Sequence, residues 1–569
     1  MRDRELKMKK KGAEILIECL EREGVDIVWG IPGGQAIPIF DALFDSKKIK
    51  LVLTRHEQGA AHMADGYARA TGKIGVCVAT SGPGATNLVT GLATAYMDSI
   101  PMIAITAQVP TKLIGNDAFQ EADVVGITRP ITKHNYLVKD VKELARTVRE
   151  AFHIATTGRK GPVLIDLPSD VAKTETEFEW PDKIVMKNYS PNYKGNLSQI
   201  KKAAEEINNS KKPFIYAGGG ILSSGASKEL KAFAEKTGAP VGLTMLGLGC
   251  FPGTHSQFVG MLGMHGTRTS NLAMNESDLI VAVGARFDDR VTGNLAHFAK
   301  KAKIIHIDID PSSISKSVKA DIPIVGDAKS VLPELTKQVL QRKHSEWWAK
   351  IGEWQKSFPL LYSRKGALKP QYVIEQIYEM TKGKAIIVTE VGQHQMWAAQ
   401  FYKYDAPRTF ISSGGLGTMG FGLPASIGSQ FGKPNSLVFD ISGDGSIQMN
   451  IQELIIAVEH KLPIKIVILN NGYLGMVRQW QQLFWKKRYS GVDLSIQPDF
   501  VKLAEAYGAV GMRVTKEEEV KEALEKAIKI TDRPTLIDFK VAPEENVLPM
   551  VPAGAAITEA IDYKDVELA

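Results

Sequence analysis

A Gly-Asp-Gly triplet at 443–445 and an Asn pair at 470–471 each close an apolar run. Ser436-Leu437-Val438-Phe439-Asp440-Ile441-Ser442 leads into the first, and Pro463-Ile464-Lys465-Ile466-Val467-Ile468-Leu469 into the second. Asp444 and Asn471 offer hard oxygen ligands, which suit a Mg²⁺ ion that keeps phosphate oxygens in its shell. Gly443 and Gly445 let the backbone approach those phosphates closely. Either piece alone reads as a turn; together, each ending a buried strand, they describe one metal–diphosphate site. For the two to meet, the runs must be neighbouring parallel strands. A crossover helix predicted over Met449 to His460 would join them and bring both loops to one carboxyl edge of a sheet.

Other chemistry-bearing residues stand at similar places. In Arg55-His56-Glu57-Gln58-Gly59-Ala60-Ala61-His62 the spacing excludes a HExxH zinc site, because the second histidine would fall on Ala60. The segment reads instead as a helix start with Glu57 in its first turn, where the helix dipole favours an acid. Gly218-Gly219-Gly220-Ile221-Leu222-Ser223 is not a full GxGxxG fingerprint. Gly284-Ala285-Arg286-Phe287-Asp288-Asp289-Arg290 follows the strand Leu279–Val283 directly, and the next strand ends in Asp308-Ile309-Asp310. An acid at such a strand end can hold a ribose hydroxyl, whereas Asp288 and Asp289 also fit a solvated turn.

The elements that must position these residues form an α/β fold of three doubly wound parallel-sheet domains. Short apolar strands alternate with helical patterns over 12–182, 198–341 and 370–541, and 542–569 forms a tail laid over a surface. Trp180 to Leu197 reads as a linker, Arg342 to Lys356 as helix and linker, and Met1 to Lys11 as a frayed basic tail. The length of 569 residues suits three or four domains, and 44% hydrophobic with 23% charged residues is ordinary for a soluble protein. A net charge of +7 without basic–aromatic blocks argues against nucleic acid, and no run is long enough to span a bilayer. Cys19, Cys77 and Cys250 read as buried thiols of a reducing, cytoplasmic setting.

Taken in order, Gly30-Ile31-Pro32-Gly33-Gly34, Arg55-His56-Glu57, Ser81-Gly82-Pro83-Gly84-Ala85-Thr86-Asn87 and the Gly443–Gly445 and Asn470–Asn471 segments resemble the thiamine diphosphate enzymes. Within them the chain resembles the acetohydroxyacid synthase (acetolactate synthase) family over nearly its whole length. The resemblance implies that Glu57 hydrogen-bonds the cofactor's aminopyrimidine and favours the tautomer that takes the thiazolium proton. It implies that Val391, Gly392, Gln393, His394, Gly443, Asp444, Gly445 and Ser446 meet the diphosphate. Gly417, Met419 and Met476 would support the rings, and Tyr473 would join Asp444 and Asn471 around Mg²⁺ through its backbone oxygen.

An FAD site is implied at Arg159, Gly218, Gly219, Gly220, Thr244, Met245, Leu246, Met264, His265, Gly266, Gly284, Ala285, Arg286, Asp288, Arg290, Asp308, Ile309 and Asp327. The net reaction transfers no electrons, so the flavin follows from resemblance alone. Phe119 and Gln120 would enter the active site with Glu57 from a partner subunit, and Gly34 is implied as a further catalytic-site residue. Arg290 would bind the acceptor carboxylate, a task suited to guanidinium. Trp480 would favour 2-oxobutyrate over pyruvate, because one methylene in an apolar pocket is worth roughly 1–3 kcal/mol.

The implied activity joins pyruvate to a second 2-oxo acid, giving 2-acetolactate or 2-aceto-2-hydroxybutyrate for branched-chain amino-acid biosynthesis. The implied assembly is a homodimer or dimer of dimers with a separate regulatory small subunit. The alternative is another thiamine diphosphate and FAD enzyme such as a pyruvate oxidase, which oxygen or quinone consumption would reveal. Ser169, in Leu167-Pro168-Ser169-Asp170, and Gln35 depart from the family's usual residues near the substrate approach.

Overall fold

Three six-stranded, all-parallel sheets organise the chain, and the computed structural model describes residues 9–567. Across the first sheet the strands run Lys50–Leu53, Ile27–Gly30, Gly75–Ala79, Met102–Gln108, Pro162–Pro168 and His134–Leu137. Across the third they run Phe410–Ile411, Ile386–Thr389, Val438–Gly443, Lys465–Asn470, Thr535–Lys540 and Val510–Val514. Counted along the chain within each domain, both sheets have the order 2-1-3-4-6-5.

The middle sheet differs. Its strands run Phe258–Met261, Val241–Leu243, Pro213–Ala217, Leu279–Val283, Lys303–Asp308 and Ile322–Val325, which is the order 3-2-1-4-5-6. That order opens a crevice between its first and fourth strands, where the direction of winding reverses and dinucleotides bind in such folds. Gly218 and Gly284 follow those two strands. A Cβ on Gly220 would lie 2.5 Å from the Gly284 Cα, and Gly284 has φ +57°, so only glycine fits where these two turns meet.

The inner strands of each sheet are buried along nearly their whole length because helices cover both faces. One hydrophobic core spans the first and third domains. It unites Ala60, Met63 and Ala64 of the helix Glu57–Thr71 with Leu423, Ala425 and Ile427 of the helix Gly422–Gly432. These helices each follow the second strand of their own domain, and they touch backbone to backbone. A Cβ at Gly66 would overlap the Ala425 carbonyl, and one at Gly428 the Met63 carbonyl.

Two segments depart from the sequence expectation. Residues 1–8 of the basic N-terminus lie outside the described residues, but Lys9–Lys11 is a strand rather than a frayed end. It pairs antiparallel with Glu175–Glu177, and the register sets Lys9 against Glu177 and Lys11 against Glu175. Opposite charges directly across a strand pair stabilise it. The single helix expected over Met449–His460 is broken into two short 3₁₀ turns, Ile447–Met449 and Ile451–Glu453, and a helix Leu454–Glu459. The break falls at Asn450, whose side-chain amide donates 2.7 Å to the Gly420 carbonyl instead of facing solvent.

The tail is tied down on both sides. The Gln479 amide donates 3.0 Å to the Val547 carbonyl, and the Val551 N–H donates 2.8 Å to that of Met264. It thereby joins the third domain to the middle one. The three cysteines are buried and free, and burial pushes the Cys19 and Cys77 thiols up to about 12. Among the described residues no helix is long and apolar enough to cross a membrane.

Candidate active site

The carboxyl edges of the middle and third sheets face one cavity of about 890 Å³. Its middle-domain wall contains Gly218, Gly219, Gly220, Thr244, Met245, Leu246, Met264, His265, Gly284, Ala285, Arg286, Asp288, Arg290, Asp308, Ile309 and Asp327. Arg159 reaches it from the first domain, donating to Ser99 Oγ at 2.8 Å and to Asp310 at 3.2 Å. Gly266 is the exception among the residues expected here. It does not line the cavity; a Cβ there would overlap the Met261 carbonyl, so Gly266 serves a close turn instead.

The structure also shows which half of the middle fold meets the acid. The second strand of the sheet ends at Leu243 and leads into Thr244, whereas Asp308 ends the fifth, in the half that begins with Gly284. Burial pushes the Asp308 carboxyl up to about 6, and its one backbone partner is the Asp310 N–H at 2.9 Å. An acceptor at this strand end can hold a ribose hydroxyl.

The third-domain wall holds Val391, Gly392, Gly417, Met419, Met476 and Trp480. Met476 and Trp480 lie four residues apart on the helix Gly475–Phe484, which puts them on one face. Behind this wall lies a polar shelf. Val438–Gly443 and Lys465–Asn470 are adjacent parallel strands with Gly443 opposite Leu469, so Asp444 and Asn471 leave the same edge. The His394 ring packs between Gly392 and Gly443, either of which would clash with it at 2.7 Å if it carried a Cβ. Burial pushes His394 down to about 3, so its ring is neutral, and its buried Nε2 has no partner. That orphaned atom, on a ring packed against two glycines, fits an anionic oxygen.

The other shelf residues hold one another. The Asn471 amide donates 3.1 Å to Gln393, its oxygen accepts 3.1 Å from the Tyr473 N–H, and Gln393 donates 2.9 Å to Gln479. Asp444 is 1% exposed, and burial pushes its carboxyl up to about 7. A desolvated carboxylate of this kind fits a divalent cation, whose charge would return it to its ordinary range. Among the described residues no three acidic, histidine or cysteine groups cluster to hold a metal. The donors at hand are one carboxylate, one amide oxygen and backbone oxygen, a hard set that suits Mg²⁺ completed by phosphate and water.

Glu57, Gly34, Phe119 and Gln120 lie apart from the cavity wall. Glu57 opens its helix after the cap His56, whose Nδ1 accepts 3.0 Å from the Gln58 N–H. Its carboxylate is 8% exposed and accepts 2.9 Å from the Asn87 amide. A Cβ on Gly84 would approach it to 3.2 Å, and one on Gly82 would meet the Gln120 backbone at 2.7 Å. Glu57 and Gln120 therefore flank one glycine-rich turn, while Phe119 projects outward at 85% exposure.

Several residues that matter here escaped the sequence reading. Glu390 takes the Gly420 N–H at 2.7 Å and the Leu423 N–H at 3.2 Å. Burial beside Asp440 raises its carboxyl well above the usual range. Glu453 accepts the Arg55 N–H at 3.2 Å and packs against Gly59, supporting the helix that carries Glu57. Asp98 and Ser99 line the cavity. An acid inside the apolar run 438–441 was a visible signal for Asp440; Asp98 and Glu453 had none.

The chain matches three family descriptions in succession. Residues 10–127 match the thiamine pyrophosphate enzyme N-terminal TPP binding domain, 200–335 the central domain, and 390–539 the C-terminal TPP binding domain. An acetolactate synthase of Mycobacterium bovis is 51% identical over 561 residues, covering 96% of this chain and 91% of its own. A probable acetolactate synthase large subunit of Methanocaldococcus jannaschii is 52% identical, covering 98% and 96%. An acetolactate synthase large subunit of Haemophilus influenzae is 47% identical, covering 98% and 100%. With these matches running through all three sheets, the chain belongs to the acetolactate synthase family of thiamine diphosphate enzymes.

Proposed function

We propose that the chain is the catalytic subunit of an acetohydroxyacid synthase, decarboxylating pyruvate and joining the two-carbon remainder to pyruvate or 2-oxobutyrate. The observation that carries the reading is the meeting of a diphosphate shelf, an apolar wall and a dinucleotide crevice around one cavity. Thiamine diphosphate supplies, when bound, a carbon nucleophile and an electron sink for decarboxylation. Asp444, Asn471 and Tyr473 would hold Mg²⁺, and His394 with the glycines at 392 and 443 would receive the diphosphate. Met419 would press the rings into position, and Gly417 leaves the backbone free beside it. FAD would lie in the middle-domain crevice with its ribose toward Asp308.

Glu57, whose carboxylate accepts from the Asn87 amide, would hold or accept a proton at the cofactor's pyrimidine. Arg290, at the cavity wall and 3.9 Å from Asp289, would take an acceptor carboxylate. Trp480 would shape the acceptor pocket. Because Glu57, Gly34, Gln120 and Phe119 stand away from the cavity of their own chain, we assign them to the site of a second copy. Exposed Ile37, Phe44 and Phe119 on the first domain, and Leu416, Val477 and Trp485 on the third, suit such a contact. The relatives' designation as large subunits supports a separate regulatory small-subunit partner.

The test is product formation from pyruvate, alone and with 2-oxobutyrate, in thiamine diphosphate, Mg²⁺ and FAD, with oxygen uptake recorded. Acetohydroxy acids without matching oxygen uptake support the reading. Acetate or acetyl phosphate formed with oxygen uptake would make the chain an oxidase and overturn it.

A further inference from the structure

We propose that Asp98 is a positioning residue: a first-domain carboxylate that sets the third-domain loop carrying Gly417 and Met419. The inference rests on the reading that Met419 supports the cofactor. Asp98 closes the helix Val89–Asp98. A carboxylate there faces the negative end of the helix dipole, so local preference opposes it. The groups that hold it come from elsewhere. Its Oδ1 accepts 2.7 Å from the Gly415 N–H, and its Oδ2 accepts 3.0 Å from the Gly414 N–H and 2.8 Å from Arg69 Nη2. Its side chain is fully buried.

Arg69 completes the clamp. It donates 2.8 Å to the Ser412 carbonyl and is paired to Asp65 on its own helix. The ion pair therefore grips one backbone carbonyl and two successive N–H groups at the root of the loop. The same first-domain helix reaches the loop a second time, where Thr94 Oγ1 lies 2.7 Å from Thr418 Oγ1, beside Met419. The Thr418 N–H donates 3.0 Å to Ser413 Oγ, closing the loop on itself. A side chain at Gly415 would come within 2.8 Å of Asp98 Oδ1, so the carboxylate fits against bare backbone. Hydrogen bonds to a buried charge of this kind are among the strongest a protein makes.

Asp98→Asn keeps one acceptor oxygen, loses the charge, and turns an amide toward two N–H donors. The experiment titrates thiamine diphosphate, in Mg²⁺, into the full chain freed of it by dialysis, by calorimetry, for wild type, Asp98→Asn, Met419→Ala and the double variant. Asp98→Asn is expected to bind roughly ten- to hundredfold more weakly. Met419→Ala is expected to weaken binding too, and the double variant to bind within about twofold of Met419→Ala alone. Unchanged binding in Asp98→Asn, or losses that multiply in the double variant, would overturn the role of Asp98 while leaving that of Met419 intact. Normal binding by Met419→Ala would instead overturn the Met419 reading and this inference with it. Should Asp98→Asn not fold, Thr94→Val takes its place in the same cycle. It is expected to weaken binding about threefold and to add nothing in the Met419→Ala background.

Discussion

The first and third domains share one strand order, 2-1-3-4-6-5, yet their carboxyl edges hold opposite chemistry. In the third, strands three and four lead into Asp444 and Asn471, hard oxygen donors that suit a cation. In the first, the helix after strand two begins with Glu57, a buried carboxylate whose side-chain partner is the neutral Asn87. The equivalent helices of the two domains pack together through Gly66 and Gly428, so the pair forms one unit with two unlike edges. The topology supplies the location, and the residues at strand ends decide what happens there.

Breaking the Glu57 edge should have the largest effect. Glu57→Gln is expected to lower kcat roughly 10²- to 10⁴-fold while circular dichroism and melting stay as in wild type. Breaking the other edge should act on binding. Asp444→Asn should weaken thiamine diphosphate with Mg²⁺ about hundredfold in calorimetry, because a charged ligand becomes a neutral one.

Separating the paired helices should cost stability rather than chemistry. Gly428→Ala is expected to lose about 2–3 kcal/mol in denaturant unfolding, since its Cβ would overlap the Met63 carbonyl and both backbones must move. Glu453 sharpens the comparison through pH. Burial pushes its carboxyl up to about 7, so the folded state holds the proton more tightly than the unfolded one. The stability this contributes is complete below about pH 4.5 and is lost as pH rises through 7. Glu453→Gln should therefore flatten the decline of stability over that window by roughly 2 kcal/mol, read from denaturant midpoints against pH. The smallest effect belongs to the acceptor pocket. Trp480→Leu should shift the ratio of the two acetohydroxy acids about tenfold, consistent with roughly 1–2 kcal/mol for a change in apolar fit.

Much of this was legible in the chain because strand ends carry it. Continuous apolar runs bounded by glycine announced the parallel strands, and hard oxygen donors at two run ends announced a shared edge. The strand orders were not legible. Nothing local separates the 3-2-1-4-5-6 middle sheet from its neighbours, since order depends on which face each crossover takes. The helix expected over Met449–His460 failed at Asn450 because a remote carbonyl, that of Gly420, captured its side chain. Asp98, Glu390 and Glu453 were missed for the same reason: each serves backbone N–H groups distant in sequence, which leaves no spacing to read. No spacing in the chain set Glu57 apart from the cavity of its own chain; the family resemblance alone implied it.

The central claim is that Glu57 of one chain works with Asp444 of another, and subunit mixing tests it most directly. Glu57→Gln and Asp444→Asn chains, each inactive alone, are unfolded together, refolded at equal amounts and assayed for acetohydroxy acid from pyruvate. If sites form between chains, each mixed dimer holds one site with both residues intact, and about one quarter of wild-type activity returns. If both residues of a site come from the same chain, every site carries one of the two lesions. The mixture then stays inactive, and the account is wrong.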